Sequence, residues 1–336
     1  MTASDKNTQT KTPVKRCINR GFFFFIAVTS LFFVALAFLT LFGSTERHLE
    51  LLTHLRVQLL LPLLAALPVL IFFRARVLLA LVAAGVLIHL FDIAPLYFGS
   101  RQDKSTETVR VLTINVNNWN KNYSGVRNLI ERESPDIVCL QELTPEMGTE
   151  LSSKLKSYPY RVIEASNGCF GIAIFSKMEL LSIERLKLCP DDILTLSAFI
   201  DVHGTKLRLI NTHPIAPLND VYYGWRNQQL AALADLSNKT KEPVIVVGDL
   251  NLTYFSPFFK RLLKEGNLTD SEFGFGVQPS WSAQWWPLNA PFDCFLFRLP
   301  LDHVLFKGPI TTQDRRLLEG IGSDHSPVLV TLGIST

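Results

Sequence analysis

Two kinds of apolar pattern divide the chain, with long unbroken runs before residue 99 and short, interrupted ones after it. Phe22–Phe42 is uncharged for 21 residues, enough to cross a hydrocarbon layer roughly 30 Å thick. Val57–Phe73 is shorter and contains Pro62 and Pro68, which makes it the weakest candidate of three. Val77–Phe98 is again of spanning length, interrupted by His89 and Asp92, and only Arg74-Ala75-Arg76 separates it from the run before, which suits a tight helical hairpin. The pattern predicts an all-α transmembrane region of about three helices, at 21–43, 57–73 and 77–98, behind a basic tail at 1–20. Ala35-Leu36-Ala37 resembles a signal-peptide cleavage site, but Phe38–Phe42 and two further apolar runs follow it, so the first run reads as a retained anchor. His89 and Asp92, near the end of a span, read as facing a partner helix or the headgroups rather than forming an intramembrane site.

The basic residues orient these runs. Lys6, Lys11, Lys15, Arg16 and Arg20 precede the first, and Arg74 and Arg76 lie between the second and third. Positive residues stay in the cytoplasm, so three spans put everything after Phe98 on the opposite face. If the run with Pro62 and Pro68 does not cross, the remainder is cytoplasmic instead.

After a polar stretch read as a linker (99–107), strand and helix signals alternate over 108–336. Strands are predicted at Thr108–Val116, Ile137–Leu140, Ile172–Phe175, Leu194–Val202, Leu207–Thr212, Val244–Val247 and Val328–Leu332. Helical spacing covers Val126–Arg132, about Tyr222–Leu236 and about Pro257–Lys264. No internal repeat or low-complexity tract interrupts the region.

Charge and cysteine content change this picture little. The net charge of +3 is too small to call for a nucleic-acid partner and does not exclude one. Five cysteines show neither the density of a disulfide scaffold nor a zinc spacing. Cys139 sits in an apolar strand and reads as a small buried hydrophobe, and no disulfide is predicted among Cys139, Cys169, Cys189 and Cys294.

Candidate chemistry lies where apolar runs end. Ile114-Asn115-Val116, Gln141-Glu142, Asn211-Thr212-His213, Gly248-Asp249-Leu250-Asn251, Leu301-Asp302-His303 and Ser323-Asp324-His325 mostly place polar groups at the ends of such runs. Each alone has an ordinary explanation as a turn or cap. Together they offer carboxylate and amide oxygens that suit a hard divalent ion, and histidines that suit proton transfer on a phosphate ester.

In their order, Asn-Val, Gln-Glu, Thr-His, Gly-Asp-x-Asn, Leu-Asp-His and Ser-Asp-His, these motifs resemble the endonuclease/exonuclease/phosphatase superfamily, over the whole chain after the linker. That group includes pancreatic deoxyribonuclease, abasic-site endonucleases, sphingomyelinases and inositol polyphosphate 5-phosphatases. The resemblance implies an α+β fold, a four-layer α/β/β/α sandwich of two packed mixed β-sheets with the site at one edge. It implies Mg²⁺ or Mn²⁺ as cofactor, with Glu142 as principal ligand, Asn115 at or beside the metal and Asp324 a second acid near it. It implies that Asp249 holds or activates the attacking water and that Asn251 orients the water or the phosphate. His325 bonds a phosphate oxygen, with Asp302 fixing its tautomer, and His213 protonates or stabilises the leaving oxygen.

Departures from the pattern narrow the substrate. Leu252-Thr253 follows Asn251 where inositol 5-phosphatases carry Tyr-Arg, and their Pro-Ala-Trp-Cys-Asp-Arg signature is missing before Leu301. The aromatic stretch Trp281, Trp285, Trp286, Phe292, Phe295 and Phe297 suits packing loops onto the core, dipping into a membrane interface, or stacking on bases. The sequence thus predicts an integral membrane phosphoesterase with its catalytic domain outside the cytoplasm. A lipid headgroup is slightly favoured as substrate over a nucleotide or nucleic acid, a membrane-tethered nuclease is the alternative, and a catalytically silent binding module is disfavoured because all the polar positions are present.

Overall fold

The computed structural model describes residues 13–98, 107–283 and 297–335. Four helices come first, α1 (Pro13–Leu39), α2 (Arg47–Thr53), α3 (Arg56–Phe72) and α4 (Arg76–Ile93). Arg20–Phe42 and Arg76–Leu96 are each long and apolar enough to cross a membrane, and α2 with α3 qualifies as a third only as a pair bent by 62°. Pro62 and Pro68 sit inside α3 without ending it. Arg74 takes a left-handed conformation (φ 56°), closing the tight turn expected between α3 and α4. Val34, Ala37, Leu63, Leu70, Val82 and Val86 pack α1, α3 and α4 together, whereas Phe24, Phe72, Leu87 and Phe91 face outward.

The rest alternates strands and helices. In chain order these are β1 (Thr108–Asn115), α5 (Tyr123–Glu133), β2 (Ile137–Gln141), α6 (Pro145–Lys154), β3 (Tyr160–Glu164), β4 (Ile172–Ser176), β5 (Leu181–Lys187), β6 (Leu194–Val202) and β7 (Thr205–Asn211). There follow α7 (Asp220–Lys239), β8 (Val244–Asp249), α8 (Pro257–Glu265), β9 (Thr269–Asp270), the hairpin β10 (Trp281–Ser282) and β11 (Arg298–Leu299), β12 (Asp302–Lys307), β13 (Ile310–Leu317) and β14 (Val328–Ile334). One mixed sheet runs β13-β14-β1-β2-β4-β3 and the other β5-β6-β7-β8-β12-β9. The expected two-sheet sandwich is present.

The pleat decides which residues meet between the sheets, because successive side chains point to opposite faces. Val111, Ile137, Cys139, Leu207, Leu209, Ile245, Val247 and Val304 fill the space between them. Leu112, Ile114, Val138 and Leu140 turn outward instead, against Val126 and Ile130 of α5 and Met147 and Leu151 of α6. On the outside of the second sheet, Ile210, Val246 and Leu305 pack on Leu230 and Leu233 of α7 and Phe259 and Leu262 of α8, and this core runs on into the N-terminal helices.

Continued by two residues, the same inner face turns polar. Asn115 follows Val111 and Thr113, Gln141 follows Ile137 and Cys139, Asn211 follows Leu207 and Leu209, and Asp249 follows Ile245 and Val247. The register brings these ends level, since Asn115 stands beside Gln141 and Asp249 opposite Asp302. A buried amide floor closes the core there. Gln141 donates to Asn211 Oδ1 (2.7 Å) and accepts from Thr113 (3.2 Å), and Asn211 donates to the carbonyls of Ala173 (2.8 Å) and Leu140 (3.2 Å).

Where the N-terminal helices meet the sandwich, the contact is polar as well as apolar. Glu50 of α2 and Arg226 of α7 are both fully buried and 3.2 Å apart. Glu50 also accepts from the Ser256 hydroxyl (2.6 Å) and lies 3.3 Å from His54 Nε2, while His54 Nδ1 is 3.0 Å from Thr253 Oγ1. Burial alone would raise the Glu50 pKa, but His54, Arg226 and Ser256 outweigh it and bring it down to about 2. Asp92 pairs with Arg56 (2.8 Å) and with Lys260 of α8, so it faces partner helices, as its place near a span end suggested. His89 is fully buried beside them. The Leu96 carbonyl accepts from the backbone N–H groups of Gly274 and Gly276, both at 2.8 Å. The ends of α1 and α4 and the start of α3 therefore face the sandwich, and the Arg74–Arg76 turn lies at the far end of the bundle.

Three expectations fall partly or wholly outside the described residues: the basic tail at 1–20, described only from Pro13, where α1 has already begun; the linker at 99–107, of which only Glu107 is described; and Trp285, Trp286, Phe292, Phe295 and Cys294. Cys139, Cys169 and Cys189 are free thiols.

Candidate active site

At the polar end of the sandwich the strand-end residues converge. Each predicted site residue belongs to one connected group. Asn115, at the end of β1, donates its amide to Glu142 Oε1 (3.0 Å) and to Asp249 Oδ2 (3.1 Å). Asp249 Oδ2 lies 3.5 Å from both His213 Nε2 and His325 Nε2. His325 Nδ1 is 2.8 Å from Asp302 Oδ2. Asn251 Nδ2 donates to the Pro214 carbonyl (2.9 Å) and stands 3.2 Å from His213 Nε2. Asp324 joins through Asn117, whose amide donates to Asp324 Oδ1 (2.7 Å), and Trp281, whose indole N–H donates to Asp324 Oδ2 (2.9 Å).

Local backbone geometry makes this convergence possible. Glu142, Asn117 and Asn251 all adopt positive φ, 57°, 60° and 52°, a conformation that costs a non-glycine residue energy and recurs at functional sites. Gly248, at φ 143°, lies so close to the Thr212 carbonyl that a Cβ there would stand 1.9 Å from it. Only glycine lets β7 and β8 approach at that point, which brings His213 beside Asp249.

Protonation follows from the pairing. Burial pushes both histidines toward the neutral form, yet the acids prevail in each case. Asp302 and Asp249 raise the His325 pKa to about 10, and Asp249 and Glu142 raise that of His213. Burial opposes ionisation of Asp249 too, but the His325 and His213 imidazolium groups hold its carboxyl well below the usual carboxylate range. At neutral pH His325 is therefore an imidazolium beside the Asp249 carboxylate, and the acids shift His213 toward the same form. Asp302 Oδ1 and His213 Nδ1 are buried with no hydrogen-bond partner.

The donor set suits a hard divalent cation. Glu142 and Asp324 are partly exposed, and the ion pairs among the described residues join neither to a lysine or arginine. Carboxylate and amide oxygens without a basic partner are what Mg²⁺ or Mn²⁺ takes.

A second group sits behind the first. Asp270, Glu272 and His303 are buried with ligand-type atoms within 4.8 Å of one another, and none of them is among the residues predicted to hold metal. His303 Nδ1 lies 3.3 Å from Asp270 Oδ2. Arg315 supplies further positive charge, and burial pushes the Glu272 pKa up to about 7. His303 Nε2 reaches the Leu252 carbonyl (3.0 Å), so this cluster ties the strand of Asp302 to the loop after Asp249.

Sequence reasoning missed Asn117, Trp281 as a partner of Asp324, and Arg226, whose Nη1 donates to the Asn251 carbonyl (3.3 Å). The Asn-Val-Asn-Asn run at 115–118 is a usable signal for Asn117, because Asx side chains cap their own turns. No local signal marks Arg226.

With this geometry in hand, three comparisons locate the chain. The model of the Endonuclease/Exonuclease/phosphatase family matches residues 112–325, which contain every predicted site residue. No curated protein matches the chain by sequence. TDP2 of D. rerio, solved with a single-strand DNA product, is similar at 19% identity and a TM-score of 0.55, over 67% of this chain and 99% of that one. A family protein from Bacteroides thetaiotaomicron is similar at 15% identity and 0.56, over 70% and 97%. One from Beutenbergia cavernae matches at 16% and 0.53, over 68% and 72%. At such identities the likeness establishes the fold.

Proposed function

The chain belongs to the Endonuclease/Exonuclease/phosphatase family, a family of phosphoric ester hydrolases, and on that footing we propose that it is a membrane-anchored, divalent-metal-dependent phosphoesterase acting on lipid headgroups. The observation that carries the chemistry is the unbroken chain Asp302–His325–Asp249–His213 at the open end of the sandwich.

Glu142 and Asp324, with Asn115 beside them, would hold Mg²⁺ or Mn²⁺, which supplies charge neutralisation for the phosphate oxygens. His325, kept as imidazolium by Asp302, donates a hydrogen bond to a phosphate oxygen and stabilises charge as it develops there. Asp249 stays ionised, aligns the attacking water by accepting its hydrogen bond, and takes the proton that the water sheds as the new P–O bond forms. Asn251 orients the water or the phosphate from the same loop. His213 carries the proton that the leaving oxygen needs, and Phe170 packs near its ring with centroids 6.3 Å apart.

The placement of the cleft supports a lipid substrate. Gln58, at the start of α3, donates to the carbonyl of Arg298 (3.2 Å), and Arg298 pairs with the Trp281 strand whose indole reaches Asp324. The cleft rim thus leans on the end of an apolar helix. Up-down-up packing of α1, α3 and α4 puts the Arg74–Arg76 turn opposite the sandwich, which favours an extracytoplasmic catalytic domain by the positive-inside rule. The D. rerio protein with bound DNA product keeps a tethered nuclease as the alternative. The test is hydrolysis by the full chain, in detergent and in nanodiscs, of phosphatidylinositol phosphates, sphingomyelin, DNA and a simple diester, with Mg²⁺, Mn²⁺ or EDTA. Metal-dependent turnover of a lipid supports the proposal; turnover of DNA alone would replace it with the nuclease.

A further inference from the structure

A cavity of about 500 Å³ lies where the N-terminal helices meet the sandwich, away from the catalytic residues. Leu41 from the turn just after α1, Leu87 and Phe91 of α4, and Phe255 form apolar walls. Leu41, Leu87 and Phe91 are 56%, 65% and 82% exposed, so the apolar wall continues onto the outer surface of the bundle. Its polar end is built from three charged side chains, Arg56, Asp92 and Lys260.

Those charges do not cancel. Asp92 is shared between Arg56 and Lys260, leaving one positive charge in excess. Arg56 is only 4% exposed, and its Nε–H is buried with no partner, although Nη1 donates to the Ile88 carbonyl (3.3 Å) and Nη2 meets Asp92. A buried guanidinium with an idle N–H costs free energy that a bound acceptor would recover. Pro257 brings the first turn of α8 to the same wall, and a helix start favours negative charge. A net positive, hydrogen-bond-donating head beside an outward-facing apolar wall matches one class of molecule.

We infer that this junction is a binding site for an anionic phospholipid, the phosphate meeting Arg56 and Lys260 and an acyl chain lying over Leu87 and Phe91. The site is distinct from the catalytic cleft, and it rests on the reading of α1, α3 and α4 as membrane helices. Phe255 lines the cavity four residues beyond Asn251, so the bound lipid touches the loop that carries catalytic groups.

The test uses the full chain extracted from nanodiscs of equimolar phosphatidylglycerol and phosphatidylcholine, with retained lipid counted by native mass spectrometry. Phosphatidylglycerol should be retained in preference, and Lys260→Gln should reduce that preference about tenfold, the equivalent of one charge-assisted hydrogen bond. Lys264→Gln, an exposed change on the same helix outside the cavity, should leave the preference intact, and Leu87→Trp should lower retention by filling the apolar wall. Equal retention of both lipids by a carbonate-resistant, folded protein overturns this proposal alone, as does displacement of the lipid by inorganic phosphate. Release of the protein from membranes by carbonate would instead overturn the membrane reading beneath it.

Discussion

Two buried networks of charge lie within a few residues of each other, and they are built from different partners. At the candidate active site the acids face histidines, Asp302 against His325 and Asp249 against His325 and His213. At the junction with the N-terminal helices they face permanent cations, Glu50 against Arg226 and Asp92 against Arg56 and Lys260. An imidazole can gain or give a proton near neutral pH, whereas a guanidinium cannot. The first network can therefore move protons, whereas the arginine pairs of the second carry fixed charge that holds the helices against the sandwich. Both reach the same loop: Asp249 and Asn251 belong to the cleft, and Arg226, Ser256 and Thr253 fasten that loop from behind.

Substitutions should separate the two roles. His325→Ala and His213→Ala should each lower kcat by about 10²-fold or more, the usual contribution of a positioned acid–base group. A folded variant that keeps wild-type kcat would mean that the histidines serve the fold alone, as the junction does. Glu50→Ala should do the reverse in emphasis. It leaves Arg226 charged and buried without its carboxylate partner, a loss of about 3–5 kcal/mol, read as a lower denaturant midpoint. Replacing the pair together, Glu50→Leu with Arg226→Met, should recover much of that stability, since apolar pairs commonly replace buried ion pairs without loss. If the double variant is no more stable than Glu50→Ala, the junction is not the simple clamp described.

Asp302→Asn should lower kcat by an amount similar to His325→Ala, through loss of the acid that sets the imidazole's tautomer and charge. The pH–rate profile should change shape, because His325 would no longer be held as imidazolium to about pH 10. A wild-type profile would break the pairing. The smallest effect concerns Glu50 and acid. Its pKa is lowered from 4.5 to about 2, so its contribution is complete above pH 4.5 and lost as pH falls toward 2. The fall in denaturant midpoint across that window should be shallower in Glu50→Gln, and an unchanged slope would count against the clamp.

The site was legible in the sequence because most of its motifs close an apolar run. Asn115 and Asp249 close buried apolar strands and Asp302 opens one, and their order in the chain preserves the pattern although they meet only in the fold. The strands that escaped notice are those whose chemistry hides them. β13 (ITTQDRRL) lies at a sheet edge and is polar along most of its length, and β12 begins within Leu301-Asp302-His303, so it reads as a site motif before it reads as a strand. The junction was illegible for another reason. Glu50 and His54 stand in a short polar segment between apolar runs, where any loop carries such residues, and Arg226 and Ser256 lie some 200 positions away. Nothing local distinguishes a clamp from a solvated loop.

Among these claims, the role of Glu142 bears the most weight, because it joins the family chemistry to a particular side chain. Glu142→Gln keeps the size of the residue and removes the charge that a divalent ion needs. The decisive measurement is hydrolysis by full-length wild-type and Glu142→Gln protein at saturating Mg²⁺ and with EDTA, alongside their melting temperatures. Wild-type activity that EDTA abolishes, with a folded Glu142→Gln variant at the EDTA background, is the expected result. Substantial Mg²⁺-dependent activity in Glu142→Gln would contradict the assignment of the metal centre.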